Sequence, residues 1–400
     1  MKREKVGQFA VPGFLANGVC AGIKKDGKKD LALIVSEVPA TAAAVFTSNL
    51  FKAAPVVLDG ERIKKGKAQA ILVNSGNANA GTGDKGYENA LAMSRFASDK
   101  LGIRDKDILI ASTGVIGMDL PVKKVGAGMS RLVRGLRSEG LADAAEAIMT
   151  TDKFPKIASR QGIIGGSEVT IAGIAKGAGM IEPNMATMLA FFMTDVAVDY
   201  RALNKLFRRA VNRTFNAISV DGCMSTNDTA IILANGLAGN GIIRGESSSA
   251  ALFEDMLSGV MSELATLIVQ DGEGATKLIE ITVKGARERR DAKKIAYAIA
   301  NSNLVKTAFF GGDPNWGRII SAIGSAGVAV TPERVNVFMG GVPIFSGGRG
   351  AVNSGKKLQE IMGLSQINVN VELGMGDREF TVLTADLSFE YVKINAHYHT

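Results

Sequence analysis

Histidine is almost missing from this chain, with two in 400 residues, His397 and His399, both at the C-terminal end. A Cys/His zinc site therefore lacks ligands, and a Ser-His-Asp hydrolase would have to take its base from a tail. Cysteine is equally scarce: Cys20 and Cys223 give no disulfide framework and fit a reducing compartment. There are only 9 prolines and no low-complexity tract, which argues against long disordered segments. No stretch approaches the roughly 18 uninterrupted apolar residues of a membrane helix. The start, MKREKVGQFAVPGF, is basic but has no apolar run of signal-peptide length, so a cytoplasmic protein is expected. Aromatics make up only 6% of residues, and this bears on the net charge of +8. The basic clusters Lys24–Lys29 and Arg287–Lys294 are broken by acidic residues and hold no aromatic side chains that could stack on bases. They read as solvated faces, with neither nucleic acid nor membrane as partner, although anionic small molecules would feel the charge.

What is present is ordinary for a globular protein: 46% hydrophobic and 22% charged residues, over a length that predicts two domains or two processed halves. Short apolar runs alternate with helical patterns. Strands are expected at Leu31–Val38, Pro55–Leu58, Ala70–Val73, Asp107–Ser112, Val169–Ile174, Met188–Met193 and Ala230–Ala234. Helices are expected at Tyr87–Leu101, Val122–Leu136, Leu141–Met149, Ala202–Phe215 and Ala250–Val269, the last with Leu252, Phe253, Met256, Val260, Leu264, Leu267 and Ile268 inward. A boundary near residue 285 divides a main α/β domain, 1–285, from a smaller C-terminal α/β domain, 286–400. The latter is rich in hairpin signals at Val335–Met339, Ile367–Leu373, Phe380–Leu383 and Phe389–Ile394.

Several loops carry chemistry-bearing residues. Asn74–Gly83 is a Gly/Asn tract, as readily a surface loop as a binding loop. Thr113-Gly114 ends a strand, where one hydroxyl and one unhindered N–H could face a developing oxyanion, or simply make a turn. The polar run Ser219–Thr229 reads as lining a cavity; its Cys223 is either a nucleophile or, more commonly, a small buried apolar residue. The stretch 176–195, KGAGMIEPNMATMLAFFMTD, places Thr187 where a glycine-containing loop enters an apolar strand. The residue is a capping threonine or a nucleophile released by cutting the Ala186–Thr187 bond. With histidine unavailable, an N-terminal threonine supplies both nucleophile and base, since a free α-amino group has a pKa near ~8.

Lys176–Leu189, KGAGMIEPNMATML, resembles the self-cleavage signature of the ornithine acetyltransferase family, the glutamate N-acetyltransferases of arginine biosynthesis. The likeness continues in VNSGNANA from Val73, STGVIG from Ser112, DGCMSTNDT from Asp221, QDGEGATK from Gln270, LVKTA from Leu304, GDPNWGR from Gly312 and Asn395-Ala396. The resemblance implies a layered α/β sandwich of the self-cleaving N-terminal-nucleophile type, cut into chains 1–186 and 187–400 and assembled as two of each. It implies Thr187 as nucleophile, Thr113 and Gly114 as oxyanion hole, and Thr150, Lys176, Thr187, Glu273, Asn395 and Thr400 as substrate ligands. The implied reaction is ping-pong: N-acetylornithine acetylates Thr187, and glutamate takes the acetyl group. No metal or organic cofactor is implied, and acetyl-CoA serves some members as a co-substrate. The tail departs from the family pattern at His397 and His399, where an acidic residue and a hydroxyl are expected, and a cysteine near Gly81 and a proline at Asn303 are also absent. Two other readings stand beside this one: an N-terminal-nucleophile amidohydrolase or aminopeptidase, and an amino-acid-binding protein that never cuts itself.

Overall fold

The computed structural model describes residues 9–182, 188–351 and 355–397. In chain order the strands are β1 (Phe14–Val19), β2 (Leu31–Phe46), β3 (Lys67–Asn77), β4 (Ile108–Val115), β5 (Lys156–Ile164), β6 (Ser167–Lys176), β7 (Leu189–Thr194), β8 (Ile218–Ser219), β9 (Thr229–Ala234), β10 (Leu278–Ala286), β11 (Asn336–Met339), β12 (Val342–Ser346), β13 (Arg349–Gly350), β14 (Gln366–Glu372) and β15 (Arg378–Ala385). The helices are α1 (Ala54–Arg62), α2 (Gly83–Leu101), α3 (Val122–Arg134), α4 (Leu141–Ala147), α5 (Tyr200–Arg213), α6 (Ser248–Gln270), α7 (Arg289–Ala300), α8 (Asn303–Phe310), α9 (Trp316–Gly324), α10 (Gly355–Met362) and α11 (Phe389–His397).

Two sheets result. The first runs β4-β3-β2-β9-β7-β6-β5 with β1 added to β2; the second runs β13-β12-β11-β14-β10-β15-β8. β7 lies inside the first sheet, antiparallel to β6 and parallel to β9, and its sequence LAFFMT is apolar at nearly every position. That pattern follows from burial on both faces. Leu189, Phe191 and Met193 join Ile34, Ile71 and Ile231 in the layer under α4, while Ala190 and Phe192 face α5 and α6. Phe192 meets Phe207 of α5 edge-on at 5.9 Å and Phe215 at 6.1 Å. Capping fixes where the two covering helices start: the Asp199 carboxylate accepts the Ala202 N–H and the Ser247 hydroxyl accepts that of Ala250. α6 buries Phe253, Leu257, Val260, Leu264 and Ile268, but Leu252, expected inward, is exposed. Helices packed on the faces of the two sheets make the layered α/β arrangement that was expected.

The second sheet takes α7 on one face, with Ile295 and Ile299 packed against Ile281, Val369 and Val382. It draws β8 and all but the last residue of β10 from residues before 286, so the chain enters the smaller sheet ahead of the expected division at residue 285.

Two segments differ in kind from the reading of the sequence. Pro55–Leu58 is not a strand but the start of α1, where proline occupies the first turn and its missing N–H is no loss. Phe389–Ile394 is helix α11 rather than a strand. Its apparent alternation is shorter than the helical spacing that matters, Tyr391 to Asn395, one turn apart on one face. Of the Asn74–Gly83 tract, the first four residues continue β3 and Gly83 opens α2.

Candidate active site

β6 pairs with β7 so that Lys176 lies opposite Leu189, and β9 sets Thr229 on the other side of Leu189. The entrance to β7 is thus flanked by the end of β6 and by the loop leading into β9. A cavity of about 150 Å3 opens at this point.

Lys176 reaches into it from β6. The side chain is buried, and its Nζ donates to the Thr150 hydroxyl at 2.7 Å and, more weakly, to the Thr113 hydroxyl at 3.4 Å. Burial pushes the ammonium below its ordinary pKa; the Asp152 carboxylate, 3.9 Å away, opposes this and the Lys156 charge adds to it. Thr113 and Gly114 close β4. Gly114 has φ of 134°, and a Cβ there would lie 2.4 Å from the Gly76 carbonyl carbon, so only glycine lets β4 close on β3 at this turn.

Behind Lys176 lies a buried charge network. Lys156, fully buried, donates to Asp152 at 2.7 Å and to Asp271 at 2.6 Å. Asp152 also accepts the N–H groups of Thr150 (2.9 Å) and Gly177 (2.7 Å), and Asp271 accepts that of Lys153. Burial alone would raise the Asp152 pKa, but the Lys176 and Lys156 charges and these donors overcome it and hold it at about 2. Asp271 goes the other way: burial raises it, and Lys156 offsets this only in part. Two ammonium groups thus face two carboxyls, the arrangement that makes buried charge tolerable.

Opposite Lys176 the cavity is acidic. Glu273 is anchored by its N–H to the Ala178 carbonyl at 2.8 Å, and its carboxylate lies against Gly179, where a Cβ would come within 2.5 Å of Cδ. Asn395 of α11 donates to Glu273 Oε2 at 2.8 Å. One turn earlier, the Tyr391 hydroxyl donates to Asp221 at 3.3 Å; Asp221 also accepts the N–H groups of Met180 and Ile181. Burial raises the Asp221 pKa against these donors. An ammonium at one end and a carboxylate at the other suit a small ligand carrying both signs of charge.

Thr113, Gly114, Thr150, Lys176, Glu273 and Asn395 therefore meet in one cavity. Ala186, Thr187 and Thr400 lie outside the described residues. The loop Ser219–Thr229 lines the cavity through Asp221, Cys223, Ser225 and Asn227. Cys223 is exposed rather than buried, and desolvation followed by the Asp221 and Glu182 charges raises its thiol pKa, which makes it a poor thiolate nucleophile. Reading the sequence missed the Asp152–Lys156–Asp271 network and the part played by Tyr391. The helical i,i+4 spacing of Tyr391 and Asn395 is a signal that could have found the second; Asp152 and Lys156, in a loop and at the start of β5, carry no such local signal.

A layered α/β fold with hydroxyls, a buried ammonium and a carboxylate converging on a cavity at the ends of adjacent strands is that of an enzyme acting on small molecules. The chain belongs to the ArgJ family, whose model matches residues 15–400. The arginine biosynthesis bifunctional protein ArgJ of Geobacter sulfurreducens is 53% identical over 391 residues, covering 98% of this chain and 100% of that protein. Its namesake from Symbiobacterium thermophilum is 49% identical over 396 residues, 98% of each chain. A crystal structure of arginine biosynthesis bifunctional protein ArgJ from Bacillus halodurans matches with 37% identity and a TM-score of 0.50, covering 51% of this chain and 96% of that one.

Proposed function

We propose that this protein transfers the acetyl group of N2-acetylornithine to glutamate through an acetyl ester on Thr187, releasing ornithine and N-acetylglutamate. The observation that carries this reading is the convergence of Thr113, Gly114, Thr150, Lys176, Glu273 and Asn395 on one cavity at the entrance to β7, the strand that begins two residues after Thr187 in the sequence. In this scheme the bond between Ala186 and Thr187 is first cut, leaving chains 1–186 and 187–400. The solved relative supports it in length, since 96% of that chain corresponds to 51% of this one, about the size of one processed half. The freed amino group accepts the Thr187 hydroxyl proton as the oxygen attacks the acetyl carbonyl. Thr113 and the Gly114 N–H hold the oxyanion. Lys176 and Thr150 bind the substrate carboxylate, Glu273 with Asn395 binds the ornithine side-chain ammonium, and Thr400 completes the set. Glutamate then takes the acetyl group in the second half-reaction.

The scheme needs no metal or organic cofactor. The relatives are called bifunctional, which supports acetyl-CoA as a second acetyl donor for glutamate. Among the described residues no helix is long and apolar enough to cross a membrane. A cytoplasmic enzyme of two 1–186 and two 187–400 chains is part of the proposal.

The deciding experiment follows ornithine release from N2-acetylornithine with and without glutamate. Transfer requires that glutamate accelerate turnover and appear as N-acetylglutamate; equal rates in its absence identify a hydrolase and overturn the reading. A parallel assay with acetyl-CoA and glutamate decides the second donor.

A further inference from the structure

Lys306, Asp386 and Ser388 are buried polar residues that none of the roles above uses. The last two stand where β15 runs out. β15 lies antiparallel to β10 with Leu278 opposite Ala385, so Asp386 falls beside the residues that lead into β10. Its carboxylate accepts the N–H of Thr276 at 2.8 Å, the N–H of Lys277 at 2.9 Å and the Thr276 hydroxyl. Two residues on, the Ser388 hydroxyl donates to the Gly274 carbonyl at 2.5 Å. Gly274, with φ of 71°, is pressed against the start of α11: a Cβ there would lie 2.5 Å from the Tyr391 nitrogen and 2.7 Å from Ser388 Oγ. Gly274, Thr276 and Lys277 are therefore all held by the segment that follows β15.

Lys306, from α8, fastens that segment in turn. Its Nζ donates to the Thr384 hydroxyl at 3.0 Å and to the Ala385 carbonyl, and its own carbonyl accepts the Leu387 N–H at 3.3 Å, so one residue ties down the chain on both sides of Asp386. Burial pushes the Lys306 ammonium down to about 8, and the Asp386 and Asp221 charges pull it the other way. Burying an ammonium is costly unless it is paired. The two carboxyls whose charge it feels are those that hold residues 276–277 and 180–181, on either side of Glu273 and Gly179.

Glu273 immediately precedes the held stretch, and Asn395, which donates to the Glu273 carboxylate, belongs to the helix into which the segment after β15 leads. We propose that Asp386 and Lys306 are positioning residues for the ornithine half of the reaction: they set Glu273 and Asn395 where a substrate's side-chain ammonium docks. This inference rests on the reading of Glu273 as the ammonium ligand. A charge-assisted hydrogen bond is short and directional, so a carboxylate that drifts with its loop loses much of its hold on the ammonium. The opposite end of the cavity is supported separately. Thr113 and Lys176 stand on β4 and β6 of the first sheet and Thr150 on the loop after α4, whereas the clasp is built on β10 and β15 of the second.

The test measures kcat/KM separately for N2-acetylornithine and for glutamate with purified enzyme. In a ping-pong scheme each value reports one half-reaction, and glutamate has no side-chain ammonium to offer Glu273. Asp386→Ala removes all three acceptor contacts and is expected to lower kcat/KM for N2-acetylornithine by about 10–100-fold, mainly through KM, and that for glutamate by less than about 3-fold. Lys306→Met should give the same split. A residue that only keeps the chain folded would lower both values in proportion, because it changes the fraction of active enzyme; equal losses, or no loss, overturn the inference. Glu273→Gln, run beside it, tells two failures apart. If it leaves N2-acetylornithine unaffected, the reading of Glu273 fails and the inference with it; if it weakens N2-acetylornithine while Asp386→Ala does not, the clasp alone is overturned. Should Asp386→Ala fail to fold, Thr276→Val decides, since it removes one hydrogen bond and leaves the two backbone ones in place. Its expected loss is about 3–10-fold for N2-acetylornithine only, and equal losses for both substrates sink the proposal.

Discussion

The Glu273 carboxylate lies on bare backbone, because Gly179 has no Cβ to hold it off, and this makes both residues sensitive positions. Glu273→Gln keeps the shape and the Asn395 contact but would remove the charge-assisted hydrogen bond proposed for the ornithine ammonium, worth about 1.5–3 kcal/mol. Steady-state kinetics on N2-acetylornithine should show kcat/KM lowered by about 10–100-fold, most of it in KM; an unchanged KM removes Glu273 from the substrate site. Asp152 makes a prediction about pH. Its carboxyl titrates at about 2 in the folded chain against 3.8 ordinarily, so the stability it contributes is complete above about pH 4 and is lost as pH falls through about 2. Asp152→Asn should therefore be less stable than wild type near neutrality, on the order of 2 kcal/mol, with the gap closing between about pH 4 and pH 2 in urea titrations. A gap that stays constant down to pH 2 contradicts the assignment. At this scale the resemblance named Lys176 and Glu273, but composition and spacing could not: nothing local in Gly179 or Gln270–Lys277 says that residues nearly a hundred positions apart will touch. Asp152 and Lys156 stand four residues apart, but nothing in that spacing announces a buried pair, because their burial depends on Asp271 arriving from the end of α6.

Elements were easier to read where burial is uniform and harder where a short segment takes its structure from what it docks against. β7 reads as a strand from sequence because both its faces are covered, and its neighbour β9 has the same apolar density. Phe192→Ala removes the ring that α5 meets edge-on and should destabilise the chain by about 3–5 kcal/mol, measured as a shift in denaturation midpoint. α11 could not be read the same way. Among its described residues none is buried, and its helical form follows from placing Tyr391 on Asp221 and Asn395 on Glu273 at once. The segment Pro55–Leu58 misled for a related reason: two adjacent valines carry strand propensity, but Pro55 at a helix start and Leu58 buried against the α2 side of the sheet decide otherwise. Weak local propensity lost to tertiary contact in both segments.

Across the whole molecule, the expected cut falls between elements that share one sheet. Chain 1–186 would carry β1 to β6 and chain 187–400 would carry β7 and β9, and these two strands lie between β2 and β6. The order β2-β9-β7-β6 means that the second chain is hydrogen-bonded to the first along both outer edges of its strand pair, from Thr41–Phe46 against β9 and from Ile171–Lys176 against β7. The cores on both faces are built jointly, with Ile174 beside Phe191 on one side and Ile171 beside Phe192 on the other. Separating the halves would leave a gap two strands wide in the middle of a sheet and expose apolar surface on both faces, a barrier comparable with unfolding. The two fragments should therefore co-elute as one species on size exclusion under native conditions and part only in denaturant, at the midpoint where secondary structure is lost. Fragments that separate in dilute buffer while each keeps its circular dichroism would show that the halves are independent folds, which this strand order does not allow.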